Sequence, residues 1–147
     1  MIINEVQRDL FSVPHGYMLA HCISADFALG AGIAKQFEER YGMRNMLKLQ
    51  YGDVDWWNFW GPTCLCCSNV LNLVTKEHYY DKPTLLTLYE ALKDMKRLCV
   101  ERGFLKIAMP RIGCGLDRMN WGDVRAIIDK VFFDTDIEFL VCTRGTE

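Results

Sequence analysis

Met109-Pro110-Arg111-Ile112-Gly113-Cys114-Gly115-Leu116-Asp117-Arg118 stands between a short apolar run, residues 105–110, and a stripe made by Trp121, Val124, Ile127, Ile128, Val131 and Phe132. The run reads as a strand, and Pro110 forces the chain out of it. The stripe recurs at three- and four-residue steps and reads as a helix, with Asn120 as its N-cap. A strand that passes through a glycine turn into a helix is the repeating unit of a layered α/β sheet.

The same pattern recurs upstream. Tyr17-Met18-Leu19-Ala20-His21-Cys22-Ile23 is a nearly continuous apolar run, as expected of a strand buried on both faces. It enters Ser24-Ala25-Asp26-Phe27-Ala28-Leu29-Gly30-Ala31-Gly32-Ile33, after which Ile33, Ala34, Phe37 and Tyr41 fall on one helical face until Gly42. Residues 44–50 continue as a second helical piece. Pro83 opens a long helix in which Leu85, Leu88, Leu92, Met95 and Cys99 recur until Gly103. Residues 2–11 form a first extended segment, ended by the turn around Pro14 and Gly16, and residues 137–142 form the last strand. The stretch 53–76, broken at Gly61-Pro62 and Ser68-Asn69, is expected to give two or three short strands. This order predicts an α/β fold with a mixed, mostly parallel central sheet. Ligands of such sheets gather at the carboxyl ends of the strands, here the loops after Ile23, Val74 and Met109.

The chain of 147 residues is half apolar and 24% charged, which excludes a disordered tail or a collagen-like fibre. No linker or repeat divides it, so residues 1–147 are read as one domain. Seventeen basic residues face nineteen acidic ones, a net charge of −2, with no like-charged block to form a broad groove for nucleic acid. Seven cysteines, an odd number, and a start without a leader pattern argue against a disulfide framework and lead us to expect a reducing, cytoplasmic setting. Apolar runs fall far short of the roughly 20 residues that span a bilayer, so no membrane partner is expected.

Taken singly, the chemistry-bearing residues are ordinary. Gly30-Ala31-Gly32 could be no more than a tight turn, and it lacks the third glycine and downstream acid of a dinucleotide fingerprint. A second glycine loop at 113–115 changes the reading, because two strand-to-helix loops can cup the two sides of a pyrophosphate with backbone N–H groups. Lys76 alone reads as an exposed lysine at a strand end, Asp117 as a turn or cap residue and Ser24 as a loop hydroxyl. Cys64 and Cys67 have C-x-x-C spacing but no second pair, so a strand is preferred to a zinc site, and no metal is expected. His21, inside an apolar run, reads as a hydrogen-bonded core histidine. Trp56, Trp57 and Trp60 read as core and sheet-edge packing in preference to a sticky surface.

Together, His21-Cys22-Ile23-Ser24, Gly30-Ala31-Gly32-Ile33-Ala34, Val74-Thr75-Lys76, Lys82-Pro83-Thr84 and the ten residues ending at Arg118 resemble a macrodomain over residues 9–143. More narrowly they resemble the ALC1-like, terminal ADP-ribose protein glycohydrolase branch. The resemblance implies a three-layer α/β/α sandwich with ADP-ribose in a cleft at the strand ends and no cofactor. It puts Lys76, Asp117 and Ser24 at the chemistry. In the family's proposed mechanism the lysine attacks the anomeric carbon of the distal ribose and the aspartate helps to resolve the adduct. It assigns ligand contacts to Asp9, Leu10, His21, Ile23, Gly30, Ala31, Gly32, Ile33, Arg111, Ile112, Gly113, Cys114, Gly115, Leu116 and Thr143, with Asp9 on the adenine amino group. Arg8 stands where the family commonly has glycine before the adenine-binding aspartate, a change that could narrow the adenine pocket or add a cation to it. The last strand, Leu140-Val141-Cys142-Thr143-Arg144, lacks the aromatic that several relatives stack on adenine, a place the Arg144 guanidinium plane could take. The implied partners are ADP-ribose and ADP-ribosylated protein, with modified nucleic acid as an alternative and the chain expected to be a monomer. Two other readings stay open: a non-catalytic ADP-ribose reader, and a hydrolase of ADP-ribosylated DNA bases, O-acetyl-ADP-ribose or ADP-ribose 1″-phosphate.

Overall fold

A computed structural model describes residues 1–52 and 56–144. In chain order its elements are β1 (Ile2–Gln7), a 3-10 turn (Leu10–Ser12), β2 (Met18–Ser24), α1 (Gly32–Tyr41), α2 (Met43–Tyr51), α3 (Trp56–Trp60), β3 (Thr63–Cys67), β4 (Val70–Lys76), α4 (Leu85–Arg102), β5 (Lys106–Met109), α5 (Trp121–Phe132) and β6 (Glu138–Thr143). The six strands form one sheet in the order β1-β6-β5-β2-β4-β3. All neighbours are parallel except β3 and β4, which a two-residue turn joins as a hairpin, with Ser68 in the left-handed region at φ 54°.

Side chains alternate across the sheet because successive residues of a strand point to opposite faces. Ala20, Leu71, Leu73, Ile107, Met109, Phe139 and Val141 join the core under α4 and α5. Leu19, Val70, Val74, Ala108 and Cys142 join the second core under α1 and α2. With an apolar residue required on both faces, the strands read as unbroken apolar runs. The result is the three-layer α/β/α arrangement expected from the motifs. The same alternation puts Cys64 in one core and Cys67 in the other, so the C-x-x-C pair cannot close on one ion.

The helix ends follow the sequence. Gly42 and Gly103 end α1 and α4 in the left-handed conformation, and the Asn120 side chain accepts from the Asp123 N–H at the start of α5. Thr84, not Pro83, caps α4, through a reciprocal capping box with Thr87. Two expectations need correction. The first extended segment stops at Gln7, because the Asp9 carboxylate accepts from the Phe11 N–H and turns residues 10–12 into a 3-10 turn. Residues 56–60 are helical, not strand. The β propensity of aromatics yields here to local helical bonding that Gly61, at φ 65°, closes by donating to the Trp57 carbonyl. Trp57 packs against the core on the α1–α2 side, whereas Trp60 is 67% exposed. Residues 53–55 and the Trp56 side chain lie outside the described part of the chain.

Candidate active site

The connections out of β2 and β5 leave in opposite directions, to α1 on one face of the sheet and to α5 on the other. Because β2 and β5 are neighbours, a crevice opens between their carboxyl ends. A cavity of about 1150 Å³ occupies it. Small-molecule sites usually span about 300–1,000 Å³, so this one is of nucleotide size.

Ser24 and Lys76 reach the crevice together. The parallel pairing of β2 with β4 shifts register between Ile23 and Ser24, and the shift sets Ser24 opposite Lys76 at the strand ends. Asp117 arrives from the loop after β5, and Lys76 Nζ donates to its Oδ1 at 2.9 Å. The two side chains are only 15% and 16% exposed. An ion pair this sheltered leaves a stranded charge if either partner is removed.

Two glycine-bearing loops line the cavity, one at residues 28–34 and the other at 110–117. In the first, no side chain caps α1 at Ala31, so the first-turn N–H groups remain available to an anion. In the second, Gly113 has φ 74°, and a Cβ there would lie 2.9 Å from Met119 Sδ. The loops also touch: a Cβ on Gly32 would come within 3.1 Å of the Leu116 side chain.

Of the residues expected to contact ligand, Ile23, Gly30, Ala31, Gly32, Ile33, Arg111, Ile112, Gly113, Cys114, Gly115 and Leu116 line the cavity together with Ser24, Lys76 and Asp117. Asp9, Leu10, His21 and Thr143 do not. Leu10 and His21 are buried beneath the sheet's α1 face or within it. His21 stacks on Phe37 with ring centroids 3.9 Å apart and bonds Asn72 Oδ1 at 2.6 Å. Asn72 donates its own amide to the Leu65 carbonyl, so His21 Nε2 is the donor of that bond and Nδ1 is left without a partner. Burial, only partly offset by Asn72, lowers the His21 pKa to about 4. His21 is therefore a neutral core residue outside the cavity wall. Thr143 donates from its hydroxyl to the Val6 carbonyl.

Asp9 is linked to the cavity through Arg144, which lines it and approaches Asp9 Oδ1 at 3.3 Å. The Phe11 N–H holds the Asp9 carboxyl below its usual range; burial opposes it, and Arg144 and Arg40 add to the lowering. Arg8 turns away, bonding Ser12 through Nε and Nη2, and so neither narrows the cavity nor adds a charge to it.

Several wall residues escaped the sequence reading. Tyr79 and Tyr80, 67% and 64% exposed, line the side next to Lys76 together with Lys82 of the Lys82-Pro83-Thr84 motif. A loop after a strand gives no periodicity by which such side chains could be placed. Cys22 also lines the cavity. Burial pushes its thiol up to about 12, with Asp117 adding to the effect and Lys76 opposing it. The sulfur stays protonated and is no rival nucleophile. Asp26, in the loop after β2, has nothing in the sequence to set it apart from other polar loop residues. It accepts from Ser24 Oγ at 2.5 Å, from the Ala28 N–H at 3.1 Å and from the Tyr79 N–H at 2.9 Å. Burial raises its pKa, but these hydrogen bonds outweigh burial and hold the carboxyl below its usual range. Among the described residues, Glu77, His78 and Asp81 bring three possible ligand atoms within 4.8 Å of one another. That cluster is accounted for as a turn, since Asp81 Oδ2 accepts from both the N–H and the ring of His78.

No family model matches the chain. Among solved structures, the macrodomain of Thermus aquaticus DarG superposes with a TM-score of 0.78 at 20% identity, covering 96% of this chain and 97% of that one. Thermosipho africanus DarTG in complex with ADP-ribose gives a TM-score of 0.75 at 16% identity, covering 97% of this chain and 41% of that one. At such identities the likeness is one of fold, and the fold is that of a macrodomain. Human ADP-ribose glycohydrolase OARD1 is 40% identical over 145 residues, which span 96% of this chain and 91% of OARD1, and the bovine protein matches equally well. The chain belongs to the family of ADP-ribose glycohydrolase OARD1.

Proposed function

We propose that this chain is an ADP-ribosyl hydrolase that releases terminal ADP-ribose from carboxylate side chains of modified proteins. The observation that carries the reading is the sheltered Lys76–Asp117 pair at 2.9 Å on the wall of a nucleotide-sized cavity. The relatives named ADP-ribose glycohydrolase and the ADP-ribose held by a protein of the same fold support it.

In this reading the diphosphate meets the N–H groups of residues 30–34 and 113–116, and Ser24 receives the distal ribose. Lys76 Nζ attacks the anomeric carbon as the bond to the acceptor carboxylate breaks, and the electron pair of that bond leaves with the carboxylate. Nζ in the ion pair is an ammonium with no lone pair, so it passes a proton to Asp117 before the neutral amine forms the new C–N bond. Asp117 Oδ1 already accepts a hydrogen bond from Nζ at 2.9 Å, within the reach that proton transfer requires. Water then cleaves the lysyl adduct with Asp117 returning the proton, so the net reaction is hydrolysis of the ester. A net charge of −2 without a basic block favours a protein acceptor over an extended nucleic-acid one. On the same footing we place the chain in the ALC1-like branch. Its seven free thiols support a reducing, cytoplasmic location.

The test is release of ADP-ribose from glutamate-modified protein by wild type, Lys76→Ala and Asp117→Ala, with calorimetric binding of ADP-ribose in parallel. Lys76→Ala is expected to lose turnover and keep binding. Asp117→Ala should slow turnover on the order of 10²–10⁴-fold and accumulate a protein heavier by one ADP-ribose in intact mass spectra. Undiminished release by Lys76→Ala overturns the lysine route, and binding without release by wild type leaves a reader.

A further inference from the structure

Asp26 is an exposed side chain in the loop after β2, outside the cavity wall, yet three hydrogen bonds converge on it from three directions. Each has a consequence. A carboxylate can only accept, so the single proton of Ser24 Oγ is committed to Asp26 Oδ1. The hydroxyl, buried at 5% exposure, then presents only lone pairs to the cavity. Oδ1 also accepts from the Ala28 N–H and so shapes the turn that leads to Gly30-Ala31-Gly32. Oδ2 accepts from the N–H of Tyr79, three residues beyond Lys76. One carboxylate thus holds together the end of β2, the anion-binding turn and the segment that follows the lysine.

The backbone explains why such a clamp is needed. Phe27 and Leu29 both sit in the left-handed region, at φ 53° and 44°, where an L side chain crowds the following carbonyl oxygen. Both side chains are buried, at 4% and 6% exposure. The loop is held in an unfavourable conformation from below by two apolar anchors and from above by Asp26.

We propose that Asp26 is a positioning residue: it fixes the orientation in which Ser24 meets a hydroxyl donor of the distal ribose, and it sets the spacing between the glycine turn and the Lys76 strand end. Built on the hydrolase reading, the proposal commits the Ser24 subsite to a donor, a sugar hydroxyl, and excludes an anionic oxygen there. Asp26 touches no reacting atom and acts through Ser24 and the Tyr79 backbone.

The experiment compares wild type, Asp26→Asn, Asp26→Ala, Ser24→Ala and the Asp26→Ala/Ser24→Ala double variant on glutamate-modified protein. Amide hydrogen exchange is followed in the same proteins. Asparagine keeps one acceptor oxygen but turns an NH₂ group toward the Tyr79 N–H or the Ser24 hydroxyl, so activity should fall in the order Asp, Asn, Ala. For Asp26→Ala, kcat is expected to drop about 10–100-fold with KM changed only a few-fold, because misplacement of the reacting groups by about 1 Å costs on the order of 10²-fold. The Ala28 and Tyr79 amides should exchange at least about tenfold faster, in line with the loss of a charge-assisted bond. The double variant should lose less than the product of the single losses. Unchanged kcat, fully multiplicative losses, or unchanged exchange at both amides overturns the proposal. If wild type releases nothing from the glutamate ester, the hydrolase reading fails on its own, and amide exchange together with ADP-ribose affinity in Asp26→Ala still decides the clamp.

Discussion

The two glycine loops face each other across one cavity and are held in unlike ways. The loop after β2 depends on side chains: Asp26 ties it from above, while Phe27 and Leu29 pin it from below in left-handed conformations that glycine would adopt without cost. The loop after β5 depends more on its own backbone. Cys114 N–H donates to the Arg111 carbonyl, Arg118 N–H to that of Gly115 and Met119 N–H to that of Gly113, and its sharpest turn is made by a glycine. The first loop holds two buried side chains in the left-handed region, whereas the second holds one non-glycine residue there, the exposed Arg118 at φ 56°, and otherwise fits closely around Gly113. The difference teaches that similar strand-turn-helix strings need not fail in the same way when altered.

The largest way to break the comparison is to remove an anchor. Phe27→Ala should cost about 3–5 kcal/mol, the usual loss for a buried phenylalanine, measured by chemical denaturation. Phe27→Gly sharpens the test: it loses the same ring but relieves the left-handed strain, so it should be no less stable than Phe27→Ala, the reverse of the usual order. A Gly variant clearly less stable than the Ala variant would mean that the loop carries no strain.

Next comes acid, which acts on the strand that leads into the first loop. The neutral His21 has a folded pKa of about 4 against 6.5 when unperturbed, so the unfolded chain takes up the proton first as pH falls. The associated stability is complete above pH 6.5, is lost between 6.5 and 4, and falls no further below that. The loss amounts to about 3 kcal/mol. His21→Gln should flatten the slope of unfolding free energy in that window, and a slope unchanged by the substitution would assign it elsewhere. Asp26, with its lowered pKa, adds a decline of the same sign at more acid pH, as its carboxylate takes up a proton. Amide exchange should therefore rise in the β2 loop before it rises in the β5 loop.

The smallest effect expected is in the second loop. Gly113→Ala places a Cβ at φ 74° and 2.9 Å from Met119 Sδ. Methionine is flexible enough to move aside, so the residual cost is the backbone's, about 1–2 kcal/mol. Adding Met119→Ala should not restore it. Full restoration would show that the side-chain clash and not the backbone sets the requirement for glycine.

Much of this was legible in the sequence because it is periodic or punctuated. Strands buried on both faces wrote themselves as apolar runs, Gly42 and Gly103 marked helix ends, and Asn120 marked a start. The motifs brought Ser24, Lys76 and Asp117 under suspicion together, and the fold sets them on one cavity. What stayed hidden has a physical reason in each case. The five residues Trp56-Trp57-Asn58-Phe59-Trp60 are too few to show a helical period. Asp26 looks like any loop aspartate, since Ser24 and Ala28 are only two residues to either side and the partner that ties it to the Lys76 strand end is a backbone N–H 53 residues away. The inward direction of His21 is fixed by strand parity, and a motif string does not state which parity faces the ligand.

The position of β1 at the sheet edge bears on how the protein comes to exist. Among the described strands β1 pairs with β6 alone, so on a ribosome the segment Ile2–Gln7 waits without a neighbour until Glu138–Thr143 has emerged. Its Glu5 carboxylate, which receives Arg111, the Trp121 indole and Arg125, waits with it. Pairings so distant in sequence are slow to close. The brace behind Arg111 and the meeting of Asp9 with Arg144 therefore wait on β6, and a nascent chain stalled before β6 would carry most of its core and an unfinished cleft.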